Sequence, residues 1–178
     1  ELKLDAVAVS IGPGSYTGLR IGLSEAKGVC FGMDLPLIGI NTLQLLSVSV
    51  MFKQLDFDED LIFIPMIDAR RMEVFTAVYN LALETLMDAK PLILDENSYA
   101  EFIKTGKNVL IFGNGADKAK EVLTASNVRL IKNIKPIAND MVALSERAFR
   151  EGDFLDLAYS TPMYLKEFQG TTPKKKIL

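Results

Sequence analysis

The spacing of apolar and polar positions along the chain predicts a succession of strands and helices. Leu4 to Ile11 contains the unbroken run Ala6-Val7-Ala8-Val9 and reads as a continuously apolar strand, the pattern of a parallel sheet covered on both faces. A Gly-Pro-Gly turn follows. A helix then begins near Ser15 or Tyr16, with Ser15 as its N-cap, and runs to about Gly32. Leu35 to Ile40 predicts a second strand, and Asn41 is placed to cap a second helix through the stretch TLQLLSVSVMFK.

Two strands then flank a polar turn, Asp68-Ala69-Arg70-Arg71. In the second of them Val74, Thr76 and Val78 alternate with Phe75, Ala77 and Tyr79. A third strand is expected within Glu84–Leu94. After it the pattern gives a helix (Ser98–Lys104), a strand (Asn108–Phe112), a helix (Ala116–Ala125), a strand (Val128–Ile131) and a last helix (Ala138–Glu151). The second part therefore spells βββαβαβα and the first only βαβα, the back end of the same series. Two copies of one unit, the first without its opening βββα, is the simplest account. It predicts a chain shortened at its N-terminus, with a division between residues 1–56 and 57–178. The alternative is an intact α/β domain that opens on a parallel strand.

Composition narrows the function. The chain has 178 residues, 49% of them hydrophobic, enough to fill a core. A net charge of −3 argues against a stand-alone nucleic-acid binder, and the run Lys174-Lys175-Lys176 reads as a solvated tail. Cys30 is the only cysteine, so no intrachain disulfide forms and a reducing, cytoplasmic setting is expected; no stretch has the length of a membrane span. The sequence has no histidine. That removes Ser-His-Asp and Cys-His nucleophile systems, His-ligated metal and an imidazole base.

The glycines are concentrated. Of twelve, six (Gly12, Gly14, Gly18, Gly22, Gly28, Gly32) fall in one stretch that closes the first strand and runs through the first helix. Strand, glycine turn and helix N-terminus together form a candidate anion site at Gly12, Gly14 and Ser15. The spacing fits neither a P-loop nor G-x-G-x-x-G, so the motif alone is weak. Within the helix, Gly18, Gly22 and Ala26 share one face, and Gly28 and Gly32 form another pair. Each interior glycine costs about 1 kcal/mol relative to alanine. One such face suits packing on the helix's own sheet; two exceed what one sheet needs and point to a second close partner, another helix of this chain or of another. Gly113 and Gly115 echo the first turn and make a second candidate anion cradle. Asp68 and Arg70 stand at the hairpin turn, where a turn-stabilising salt bridge competes with phosphate contact.

GPGSYTGLRIG (Gly12–Gly22) resembles the signature of the bacterial TsaB (YeaZ) family. LDAVAVS, AKGV, INTLQLLS, IDARRMEVFTAVY, FGNGA and STPMYL agree with it in order. The resemblance implies an actin/Hsp70-like (ASKHA, RNase H-like) fold of two βββαβαβα lobes. It further implies a non-catalytic subunit that binds and activates the transferase TsaD, alongside the ATPase TsaE, in forming N6-threonylcarbamoyladenosine (t6A) beside the anticodon of tRNAs reading ANN codons. No cofactor or metal of its own is implied, ATP or ADP being bound in or near the partner complex, with tRNA met only through that complex and a homodimer when isolated. The partner-facing residues it suggests are Tyr16, Gly18, Leu19, Arg20, Gly22, Leu23 and Ala26; for Leu19, Leu23 and Ala26 the sequence leaves core and interface open. Tyr164 and Pro162 are expected to dock the C-terminal segment on the body. The competing functions are an actin-fold small-molecule kinase, which needs free carboxylates at its phosphate turns, and a metalloprotease, which the missing histidines disfavour.

Overall fold

The structure, a computed structural model, describes residues 3–53 and 60–166. Strands β1 (Val7–Gly12) and β2 (Leu37–Asn41) pair in parallel, with Val7 opposite Leu37 and Ser10 opposite Ile40. Helix α1 (Tyr16–Met33) connects them and starts at its predicted cap, where the Ser15 hydroxyl accepts from the Gly18 N–H at 3.3 Å. Leu23, Ala26 and Cys30 of α1 pack on Val7, Val9 and Leu37 at one face of the pair. Ala6, Ala8, Ile38 and Ile40 line the other face.

Helix α2 (Thr42–Lys53) is capped by Asn41, whose Oδ1 accepts from the Leu43 N–H at 2.8 Å. Its apolar residues leave no polar face, as expected of a helix enclosed on all sides. Leu45 turns to the first sheet, while Leu43, Leu46 and Val50 turn to the second. Ser47 and Ser49 satisfy their buried hydroxyls on the carbonyls of Leu43 and Leu45, each at 3.0 Å.

The second sheet comprises β3 (Ile62–Asp68), β4 (Glu73–Asn80), β5 (Thr85–Ile93), β6 (Val109–Phe112) and β7 (Val128–Ile131), in the order β5-β4-β3-β6-β7. The first three are antiparallel and β3, β6 and β7 are parallel. The alternation in β4 holds: Val74 and Val78 enter one core, Ala77 and Tyr79 the other, which α2 covers. Central β3 carries a proline, and the β3–β4 ladder is interrupted between the pairs Phe63–Tyr79 and Met66–Thr76. Thr76 fills the gap. Its hydroxyl donates to Pro65 O at 2.8 Å and accepts from the Tyr99 hydroxyl at 3.0 Å, all of it buried.

Two helices are shorter than the periodicity predicts. Tyr99 lies in the left-handed region (φ 61°) and Ser98 bonds back to Asp95, so α3 spans only Ala100–Ile103. Helix α4 is reduced to Ala116–Ala119, because the chain must turn back to Asn127, whose Nδ2 is tied to the carbonyls of Ile103 and Lys107. The last helix opens as a 3-10 turn (Ala138–Met141) before α5 (Val142–Glu151). The expected division at residue 56 and the lysine run at 174–176 lie outside the described residues.

The Tyr99–Thr76–Pro65 chain yields an ordered prediction. Thr76→Val strands both the tyrosine donor and the proline carbonyl and should cost about 1–3 kcal/mol, whereas Tyr99→Phe removes one bond and should cost about 1 kcal/mol. Urea unfolding of the two variants checks the order.

Candidate functional site

The glycine turn is shaped by what lies over it. Gly12 has φ 116°, a region L side chains rarely adopt, and a Cβ there would stand 2.9 Å from Met163 O. The Met163 N–H in turn donates to Ile11 O at 2.7 Å. The bare backbone at Gly12 thus admits the C-terminal segment, residues 153–166, which crosses the first sheet as a strap. Leu155 N–H bonds Leu37 O at 2.8 Å, and Lys27 Nζ holds the carbonyls of Ser160 and Ala158. Tyr164 does dock on the body: its ring lies 5.2 Å from that of Tyr16, and Arg20 Nε donates to its hydroxyl at 2.8 Å. The Arg20 guanidinium also sits 4.4 Å from the centre of the Tyr16 ring. Tyr16 and Arg20, suggested as partner-facing, therefore anchor the strap, and Leu19 packs over Gly12 and Gly14. At Lys166 the strap has crossed the cleft, and the lysine pairs with Glu73 at 2.7 Å.

The cleft has a volume of about 530 Å³ and brings Gly14, Ser15 and Thr17 opposite Asp68, Arg70 and Asn114. The sequence candidates from the first turn and the hairpin do meet here. Their chemistry differs from expectation. Asp68 makes its ion pair with Lys118 (2.5 Å), not with Arg70, and binds Arg70 only through the backbone N–H at 2.6 Å. The Lys118 hydrogen bond, chiefly, holds the Asp68 carboxyl below its ordinary value. Lys118 and Lys166 carry no sequence signal, since their partners are distant along the chain.

The second glycine turn is a packing device rather than a free cradle. A Cβ on Gly113 (φ 102°) would meet Met66 O, one on Gly115 would meet Val74 Cγ1 at 2.9 Å, and the Gly115 N–H is spent on Met66 O at 3.0 Å. Asn114 Oδ1 takes the Asp68 N–H at 3.0 Å. Among the described residues no group of three or more Cys, Asp or Glu could hold a metal ion, and no helix is long and apolar enough to cross a membrane. Burial pushes the Cys30 thiol up, which suits a packed residue and not a nucleophile.

The faces of α1 sort differently from the predicted stripe. Leu23 and Ala26, grouped with the partner-facing residues, are buried in the chain's own core at 4% and 7% exposure. Gly22 lies at the margin, where a Cβ would touch Val9 at an ordinary 3.9 Å. The outward face runs instead through Gly18, Ile21, Gly28, Val29 and Gly32. A Cβ on Gly28 or Gly32 would meet nothing within 4 Å. Phe31, 82% exposed, and Met33 extend the apolar surface at the helix end.

The lowered Asp68 carboxyl gives a signed pH dependence. Its contribution to stability is present above the ordinary carboxylate value of 3.8 and is lost as pH falls through the lower folded value. Asp68→Asn should therefore flatten the acid limb of a melting-temperature profile below about pH 4 and leave the neutral limb parallel to the parent; with the side chain 44% exposed, the effect is small.

Residues 1–166 match the family model described as TsaD: tRNA N6-adenosine threonylcarbamoyltransferase. The chain is 30% identical over 173 residues to the tRNA threonylcarbamoyladenosine biosynthesis protein TsaB of Escherichia coli K12, covering 92% of this chain and 71% of that protein. It is 31% identical over 124 residues to the TsaB of Bacillus subtilis 168, covering 67% of this chain and 51% of the relative. The solved structure of YeaZ from Pseudomonas aeruginosa shares the fold with a TM-score of 0.71 at 23% identity, over 91% of this chain and 74% of that one. Signature, fold and coverage agree, and the chain belongs to the TsaB (YeaZ) family of tRNA threonylcarbamoyladenosine biosynthesis proteins.

Proposed function

We propose that the chain is a non-catalytic subunit that docks on a TsaD-type transferase through the outward face of α1 and supports its formation of t6A on tRNA. The observation that carries this reading is the pair Gly28 and Gly32. Each forgoes about 1 kcal/mol of helix stability relative to alanine. Packing within the described residues does not explain them, because nothing there comes within 4 Å of an added Cβ. A helix approaching from another chain would use that bare backbone, and exposed Ile21, Val29 and Phe31 would supply its apolar contact. On this reading the chain consists of one actin-like lobe and the remainder of another, TsaE joins the complex, ATP or ADP binds in or near it, and tRNA is met only through that complex. Isolated, the same face would pair with a second copy. The kinase reading is weaker because Asp68, its one suggestive acid, is committed to Lys118.

The test is pairing with the transferase of the same organism. Gly28→Leu should weaken association roughly five- to 150-fold, the equivalent of about 1–3 kcal/mol of overpacking. Its melting temperature should be unchanged or higher, since leucine is the better helix former. A stable variant that still pairs normally, in a titration followed by analytical sizing, rejects this face as the interface.

A further inference from the structure

We propose that Arg70 and Arg71, adjacent at the tip of the β3–β4 hairpin, contact the phosphodiester backbone of the RNA substrate while α1 is docked on the transferase. This deepens, and rests on, the docking reading above.

The backbone is the first observation. Both arginines lie in the left-handed region, at φ 76° and 48°. L residues other than glycine, asparagine and aspartate enter that region rarely and at a cost. The loop is held there on purpose: Asp68 Oδ1 accepts the Arg70 N–H at 2.6 Å, Arg70 O accepts the Glu73 N–H at 3.0 Å, and Ala69 N–H bonds Glu73 O at 3.1 Å. Two consecutive positions suited to glycine or asparagine carry the longest cationic side chain instead.

Charge is the second. Arg70 and Arg71 are exposed, and neither guanidinium has an ion-pair or hydrogen-bond partner among the described residues. The nearby acids are already neutralised, Asp68 by Lys118 and Glu73 by Lys166. The tip therefore presents two uncompensated guanidiniums, whose planar forks match phosphate oxygens. Such contacts position a nucleic acid without reading its sequence.

Place is the third. Arg70 and Thr17 line the same cleft, and Thr17 stands in the first turn of the helix whose outward face is the proposed docking surface. A partner that covers the outward face from Gly32 back to Gly18, about 21 Å of helix, reaches the cleft mouth beside the hairpin tip and brings any polyanion it holds toward the arginines. The net charge of −3 makes the isolated chain a poor RNA binder, so the contact belongs to the assembled pair.

The experiment compares the parent and the Arg70→Gly/Arg71→Gly variant, each paired with the transferase, by fluorescence anisotropy with an unmodified tRNA transcript over a series of salt concentrations. Sizing measures pairing separately. Glycine relieves the left-handed backbone while deleting both charges, so the variant should melt no lower than the parent. Expected are intact pairing, a roughly three- to tenfold loss of tRNA affinity, and a fall of about 1.5 in the slope of log K against log salt, as the loss of two phosphate contacts requires. Unchanged affinity and slope with intact pairing overturns the proposal. So does loss of pairing in the variant, which would make the arginines contacts to the partner protein. Equal loss of the arginine-dependent binding on adding millimolar ATP assigns the tip to a nucleotide and also overturns it. Failure of the parent to pair removes the docking reading and this proposal with it.

Discussion

Every other feature hangs on the burial of α2, from Thr42 to Val50, between the two sheets. One helix supplies Leu45 to the first sheet and Leu43, Leu46 and Val50 to the second, so the two sheets share an apolar wall. At roughly 1.5–3 kcal/mol for each fully buried aliphatic side chain, these four residues fix the sheets' mutual placement far more firmly than the exposed ion pairs across the cleft could. The cleft is a consequence. With α2 clamped between the sheets, the C-terminal end of β1 and the β3–β4 hairpin are held facing each other over the intervening space.

The strap completes that arrangement with directional contacts. Its backbone pairs with Leu37 and Ile11, its tyrosine is caught between Tyr16 and Arg20, and its lysine reaches Glu73 on the far side. Gly12 permits this, because any side chain there would meet the strap's own carbonyl. The glycines of the chain therefore do three different things. Gly12 and Gly113 give positive φ and close backbone approach, Gly39 admits Leu155 of the strap against β2, and Gly28 and Gly32 leave a helix surface bare. Only the last has no explanation inside the described chain, which is why the functional reading rests on it.

Electrostatics at the hairpin follow the same logic of commitment. The Asp68 carboxylate, paired with Lys118, clips β3 to α4. What is left uncommitted at that turn is cationic.

The sequence by itself determined the element order, the parallel first pair, the caps at Ser15 and Asn41, the alternation in β4, and the family, through the unbroken signature from Gly12 to Gly22. Element type, caps and alternation depend on residues within one element, and the parallel pair was legible because a continuously apolar strand suits a sheet covered on both faces. Helix ends were legible less well, since Tyr99 and Asn127 answer to contacts outside their own segment. Tertiary structure alone decided which side of α1 is core, which acid pairs with which base, and what each glycine makes room for. Leu23 and Ala26 could face sheet or partner on periodicity alone. Only the position of β1 and β2 beneath them settles it, because burial is a relation between elements that no single segment of sequence contains.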